Sequence, residues 1–66
     1  MRIEVKTPDK GEVVELNSGA TVRDAILKLG ENPEIYLAKR GSKLVMEIEE
    51  LDDGDSIELI KIVSGG

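Results

Sequence analysis

An amphipathic helix is predicted by residues 21–30, which read Thr21-Val22-Arg23-Asp24-Ala25-Ile26-Leu27-Lys28-Leu29-Gly30. Apolar residues recur at the i, i+3, i+4 and i+7 spacing that puts them on one face of an α-helix. The Thr21 hydroxyl is placed to accept from the Asp24 amide, and the Asp24 carboxylate can accept from the Thr21 amide in return. Gly30 is placed to end the helix. Because so short a helix is unstable alone in water, we expect its apolar face to lie on a sheet.

Short strands are predicted on both sides of this helix. Residues 2–7 alternate between apolar and polar types, and a turn then leads into a second β-branched run, so the two runs form an antiparallel hairpin. Further strands are predicted at 35–38, 44–46 and 56–63, whereas residues 47–51 fit either a helical turn or irregular structure. The pattern predicts an α+β domain, in which one helix packs on one face of a mixed four- to five-stranded sheet. The first and last strands are the most apolar, and we expect them to be neighbours at its centre.

Length and composition argue against an enzyme. The chain has 66 residues, with no Cys and no His, which indicates one domain without a thiolate, a disulfide or an imidazole for acid–base chemistry. A core of this size leaves no room for a deep pocket of the usual ~300–1,000 Å³. We therefore expect no bound cofactor and no catalytic residue.

The charge balance bears on the class of partner. A formal net charge of −5 argues against nucleic acid, which is bound through clustered Lys and Arg. It suits a partner with a basic surface, although it also serves solubility alone. The N-terminal residues are too polar for a signal peptide, and no apolar stretch approaches the length of a membrane span. We expect a cytoplasmic, monomeric protein with no membrane contact.

Three features together resemble the ubiquitin-like β-grasp families, and among them the short sulfur carriers of thiamine and molybdopterin synthesis and the small archaeal modifier proteins. One is the opening hairpin followed by the capped helix that starts at Thr21-Val22-Arg23-Asp24. Another is Leu51-Asp52-Asp53-Gly54-Asp55 before an apolar strand, and the third is Val63-Ser64-Gly65-Gly66. Ser64 stands where ubiquitin has an arginine before the diglycine, which favours the prokaryotic sulfur-carrier type.

The resemblance implies a β-grasp domain at residues 1–63 and a flexible tail at residues 64–66. In these families an activating enzyme uses ATP and Mg²⁺ to adenylate the terminal carboxylate, here that of Gly66, which Gly65 helps to present. The adenylate becomes a thiocarboxylate for a sulfur-acceptor enzyme, or the glycine is joined to lysines of target proteins. The chain is then a protein co-substrate and not an enzyme. The competing interpretation is a frayed or trimmed end without function.

An exposed apolar patch is the second candidate site. If the strands at 35–38 and 56–63 direct their odd-numbered residues toward the helix, their even-numbered residues lie on the open face of the sheet. The inward set is Ile35, Leu37, Ile57 and Leu59. The outward set, which by resemblance docks on the activating enzyme and on acceptors, is Tyr36, Ala38, Ile60 and Ile62. A register shift of one residue would exchange the two faces.

Other interpretations stay open. The protein could be a non-covalent β-grasp adaptor that binds a partner through its sheet face and has an inert tail. The carboxylates of Asp52, Asp53 and Asp55 resemble a metal loop, but their spacing suits a turn with Asx hydrogen bonds better than a Ca²⁺ loop.

Overall fold

The computed structural model describes residues 1–62, which form one sheet with an α-helix against one of its faces. The elements, in chain order, are β1 Arg2–Lys6, β2 Gly11–Glu15, α1 Val22–Lys28, a 3-10 turn Pro33–Ile35, β3 Tyr36–Arg40, β4 Lys43–Val45 and β5 Ser56–Lys61. Within residues 1–62, no helix has the length and apolar character needed to cross a lipid bilayer. Element order and type therefore confirm the α+β prediction.

The sheet has five strands in the order β2-β1-β5-β3-β4. β1 and β5 pair in parallel at the centre, and the other neighbours pair antiparallel. The prediction that the last strand lies beside the first is thus confirmed. The physical reason is burial, since the central strands supply Ile3, Val5, Ile57 and Leu59, each at most 1% exposed.

Helix α1 covers this central pair. Its buried residues are Val22, Ala25 and Ile26, which fill one face as the apolar spacing predicted. The predicted capping box is present, because the Asp24 amide donates to Thr21 Oγ1 at 3.3 Å and the Thr21 amide donates to Asp24 Oδ2 at 2.9 Å. Gly30 has a φ of 80°, a left-handed conformation that favours glycine, and it follows the helix directly. Local capping and core packing thus agree on where the helix begins and ends.

The predicted register of β3 is wrong by one residue. Residues 33–35 form a 3-10 turn, in which Asn32 caps the Glu34 amide and Pro33 occupies the first position, so the strand starts at Tyr36. Ala38 therefore points into the core and is 4% exposed, whereas Leu37 is 46% exposed. The placement of Ala38 on the open face is corrected by this observation, and so is the placement of Leu37 toward the helix.

The acidic turn before β5 is held by its own hydrogen bonds. The Asp52 amide donates to Asp55 Oδ2 at 2.7 Å, and the Arg2 amide donates to Asp53 Oδ1 at 2.8 Å. The Gly54 amide donates to the Arg2 carbonyl at 2.9 Å. Among residues 1–62, no three Asp or Glu side chains come close enough together to hold a metal ion. The turn with Asp side-chain hydrogen bonds was predicted, and the bond from the Arg2 amide to Asp53 shows in addition that it ties the start of β5 to the start of β1.

Arg40 holds the long β4–β5 connection against the end of β3. Its Nη2 donates to the Glu50 carbonyl at 2.8 Å and lies 3.2 Å from Asp55 Oδ2, and the Arg40 and Asp55 side chains are 34% and 22% exposed. Its Nε is buried without a hydrogen-bond partner among the described residues, which offsets part of this stabilisation.

We expect Arg40→Met to lower the free energy of unfolding by about 1–2 kcal/mol, because the Glu50 carbonyl and Asp55 both lose a donor. Urea denaturation measures the change. Arg23→Met is the matched control, since Arg23 pairs with Glu47 at 3.5 Å while both side chains are at least 44% exposed, and exposed pairs contribute little. An equal loss in the free energy of unfolding for the two variants would mean that the Arg40 contacts do not stabilise the β4–β5 connection.

Candidate partner-binding face

The open face of the sheet carries an apolar patch beside the end of β5. Leu37 pairs with Ile60 across β3 and β5, and each follows or precedes a core residue, Ala38 or Leu59, so both side chains lie on the face away from α1. Ile60 is 39% and Ile62 43% exposed. The Ile62 amide donates to the Ile35 carbonyl at 2.7 Å, which continues the strand pairing beyond the end of β5. We define the open-face patch as Leu37, Ile60 and Ile62.

Charged residues border this patch on the same face. The register places Lys6 opposite Glu58 and Glu58 opposite Lys39, which makes one row across β1, β5 and β3. Lys6 also lies 3.9 Å from Glu4, with both side chains more than half exposed. Such exposed pairs contribute little to stability. An apolar centre with a mixed-charge rim is the usual anatomy of a protein–protein contact surface.

The structure brings together part of the predicted patch. Ile60 and Ile62 lie on the open face as predicted, whereas Ala38 belongs to the core. Tyr36 shares the side of Ala38 and is half-buried against the core. Sequence reasoning missed Leu37, although Asn32-Pro33 was a usable signal, since an Asn cap followed by proline is typical of the start of a helical turn.

Tyr36 contacts the connection between α1 and β3. Its hydroxyl donates to Glu31 Oε1 at 3.3 Å. Desolvation first, and then the Glu31 carboxylate, raise the pKa of Tyr36 above its ordinary value. The phenol is therefore protonated at neutral pH, and its role in the structure is a packing and hydrogen-bonding one.

The predicted reactive residues Gly65 and Gly66 lie outside the described residues. The structure does describe the residues that lead up to them, which end at Ile62. β5 is a central strand bonded on both sides, and its pairing extends to Ile62. Ile62, the last described residue, therefore continues a central strand and belongs to the open-face patch.

Comparison with known proteins identifies the family. The ThiS family model matches residues 3–66. The chain belongs to the ThiS family. This ThiS-family chain is 33% identical to the sulfur carrier protein TtuB of Thermus thermophilus over 66 residues, which is the whole length of both chains. Membership confirms the resemblance to the short sulfur carriers that the sequence motifs indicated.

Solved structures show the same fold. SAMP1 from Haloferax volcanii matches with a TM-score of 0.78 and 24% identity over the whole of both chains. A ubiquitin from Caldiarchaeum subterraneum matches with a TM-score of 0.74 and 19% identity, over all of this chain and 98% of that one. At such identities the likeness concerns the fold, and the ThiS-family chain has the ubiquitin-like β-grasp fold.

Proposed function

We propose that this protein is a carrier that delivers its own activated C-terminal Gly66. The observation that carries the proposal is the ThiS-family match, which extends through the diglycine to residue 66. Glycine has no Cβ, so Gly65 and Gly66 suit a narrow enzyme channel in which any side chain would clash. The protein itself is then a substrate of the enzyme that activates it.

The chemistry requires a separate activating enzyme that supplies ATP, Mg²⁺ and positioning. The Gly66 carboxylate attacks the α-phosphorus of ATP and releases pyrophosphate, which converts a poor electrophile into a mixed anhydride. Hydrosulfide released by a sulfur donor then attacks the carbonyl carbon and AMP leaves, which gives a thiocarboxylate for a sulfur-acceptor enzyme. Alternatively the acyl group passes through a thioester to a lysine amine of a target protein. The identity to a protein named a sulfur carrier supports the first outcome.

The fold contributes a rigid base and a docking surface. Gly66 lies four residues beyond Ile62, which is a reach of at most about 14 Å for a fully extended chain. An enzyme that binds the open-face patch can therefore hold the reacting carboxylate within that distance. We propose that this patch docks on the activating enzyme in the cytoplasm. A non-covalent adaptor would use the same patch, and the experiments below separate the two.

We expect Ile60→Asp to weaken binding to the activating enzyme at least ten-fold, because a carboxylate would enter a desolvated contact. The fold should survive, since Ile60 is 39% exposed. Titration calorimetry gives the affinity, and release of pyrophosphate from ATP gives the dependence of activation on carrier concentration. Val13→Asp is the control, because Val13 is 54% exposed and lies on β2 at the far edge of the same sheet.

The proposal requires a difference between these two variants. Val13→Asp should bind within about two-fold of the unaltered protein, since surface substitutions away from a contact change little. Equal binding by Ile60→Asp and the unaltered protein would remove the patch from the docking surface. Tight binding without pyrophosphate release would favour the adaptor.

A further inference from the structure

An open groove lies on the helix side of the sheet, between α1 and the outer end of the β3–β4 hairpin. Its volume is about 470 Å³. The buried side chains of Val22, Ile26 and Pro33 form its base, and Val45 and Met46 form one wall. Met46 is 68% exposed. The described part of the chain thus leaves an apolar surface uncovered here, and such surfaces commonly bind a partner.

The path of the chain after β4 opens this groove. β4 pairs with β3 only from Lys43 to Val45, and the chain then crosses to the start of α1. There the Arg23 amide donates to the Glu47 carbonyl at 2.8 Å, and the Val22 amide donates to the Glu49 carbonyl at 3.0 Å. β4 is the outermost strand, so no further strand of residues 1–62 covers this edge. These main-chain hydrogen bonds hold the chain after β4 against the start of α1, and so determine the shape of the groove.

Carboxylates stand at both ends of the groove. Glu34 lines the end formed by the 3-10 turn and makes no ion pair within residues 1–62, and Glu47 lines the other end. Arg23 lies 3.5 Å from Glu47 and offsets part of its charge. The whole chain carries a net charge of −5. A ligand with an apolar centre and basic ends therefore complements the groove in both polarity and charge.

We propose that this groove binds a short apolar segment of a partner protein, flanked by lysine or arginine. The apolar residues of the segment would contact the half-buried Val45 and the exposed Met46, while its basic flanks would lie near Glu34 and Glu47. The groove shares Leu37 with the open-face patch, but its base lies on the opposite side of the sheet. This contact does not involve Gly66, so binding in the groove and the carrier function are tested independently.

Two synthetic peptides test the proposal. Both have the same alternating leucine–valine centre, and one is flanked by lysine pairs and the other by glutamate pairs. Each is titrated up to about 1 mM into isotopically labelled full-length protein, and amide chemical shifts are followed by NMR. We expect saturable shifts at Ile26, Val45 and Met46 with the lysine-flanked peptide, weaker binding of the glutamate-flanked peptide, and a loss of this preference at high salt.

Uncharged variants separate the groove from the general surface. Met46→Gln should weaken binding of the lysine-flanked peptide about five-fold through lost apolar contact. Ile48→Gln is the matched control, because Ile48 is 71% exposed, two residues further along the chain and outside the groove. We expect it to bind as the unaltered protein does. Glu34→Lys should reverse the preference between the two peptides.

Three outcomes would overturn the proposal. One is shifts confined to Ile60 and Ile62, which would place the peptide on the open-face patch. Another is that the two peptides bind with equal affinity, or that neither peptide binds. The third is concentration-dependent shifts at the groove without peptide, which would make a second copy of this chain its occupant. Activation of Gly66 by the activating enzyme should proceed normally in Met46→Gln, and a defect in that variant would mean that the groove contacts the activating enzyme, against the proposed independence of the two sites. Failure of the unaltered protein to be activated would count against the carrier function alone.

Discussion

Ala38→Asp should prevent folding, whereas Leu37→Asp should leave a folded domain. Ala38 is 4% exposed and packs in the core beside Leu59, its partner across β3 and β5. A carboxylate there would be taken out of water into an apolar core, at a cost of several kcal/mol. At about 0.05–0.15 kcal/mol per residue, a chain of 66 residues is stable by roughly 3–10 kcal/mol, so a loss of several kcal/mol removes most or all of that stability.

The neighbouring variant is the matched control. Leu37 is 46% exposed on the open face, so an aspartate there stays hydrated, and we expect a change of no more than about 1 kcal/mol. Circular dichroism during thermal and urea denaturation measures both variants. The opposite result, with a folded Ala38→Asp and an unfolded Leu37→Asp, would restore the register that the sequence alone predicted and would return Ala38 to the open face.

The second large effect concerns the tail. Gly66→Ala should sharply slow formation of the acyl-adenylate, because its methyl group would enter a channel shaped for glycine and displace the reacting carboxylate. Deletion of Gly66 should abolish the reaction, since the carboxylate would then end about 3.5 Å short of the nucleotide. Release of pyrophosphate from ATP in the presence of the activating enzyme measures both rates.

Stability provides the control for the tail variants. Gly65 and Gly66 add no apolar side chain, so their deletion should leave the melting midpoint within about two degrees of the unaltered value. A loss above about 1 kcal/mol would mean that the tail contributes to the fold. Full activity of the Gly66→Ala variant would contradict the proposed fit of a glycine into the enzyme channel.

Much of the fold follows from local patterns in the sequence. Alternation at Ile3 and Val5 predicted the inward face of β1, and the apolar spacing of the helix predicted which side of α1 packs on the sheet. Thr21 and Asp24 predicted the helix start because both capping partners lie within one turn. These features could be predicted because each depends on residues that are close in sequence.

The features that sequence reasoning missed depend on register and on distant contacts. In β3, the run from Ile35 to Ala38 is apolar throughout, so its own pattern does not show which residues face the helix. The odd-numbered residues were assigned inward, whereas pairing with Leu59 puts Ala38 in the core and leaves Leu37 on the open face. The groove could not be predicted, because it requires main-chain bonds between residues 47–49 and the start of α1, more than twenty residues earlier. Apolar residues such as Met46 carry no sign in the sequence that they remain exposed.

The carrier function of Gly66 is tested most directly by the mass of the C-terminal peptide isolated from cells that produce this protein. We expect a fraction of this peptide in which sulfur replaces one oxygen of the Gly66 carboxylate, or a fraction in which Gly66 is joined through an isopeptide bond to lysines of other proteins. Loss of the activating enzyme from the same cells should remove both species. If every copy carried the free Gly66 carboxylate, with and without the enzyme, the carrier function would be contradicted and the non-covalent adaptor would be the better account.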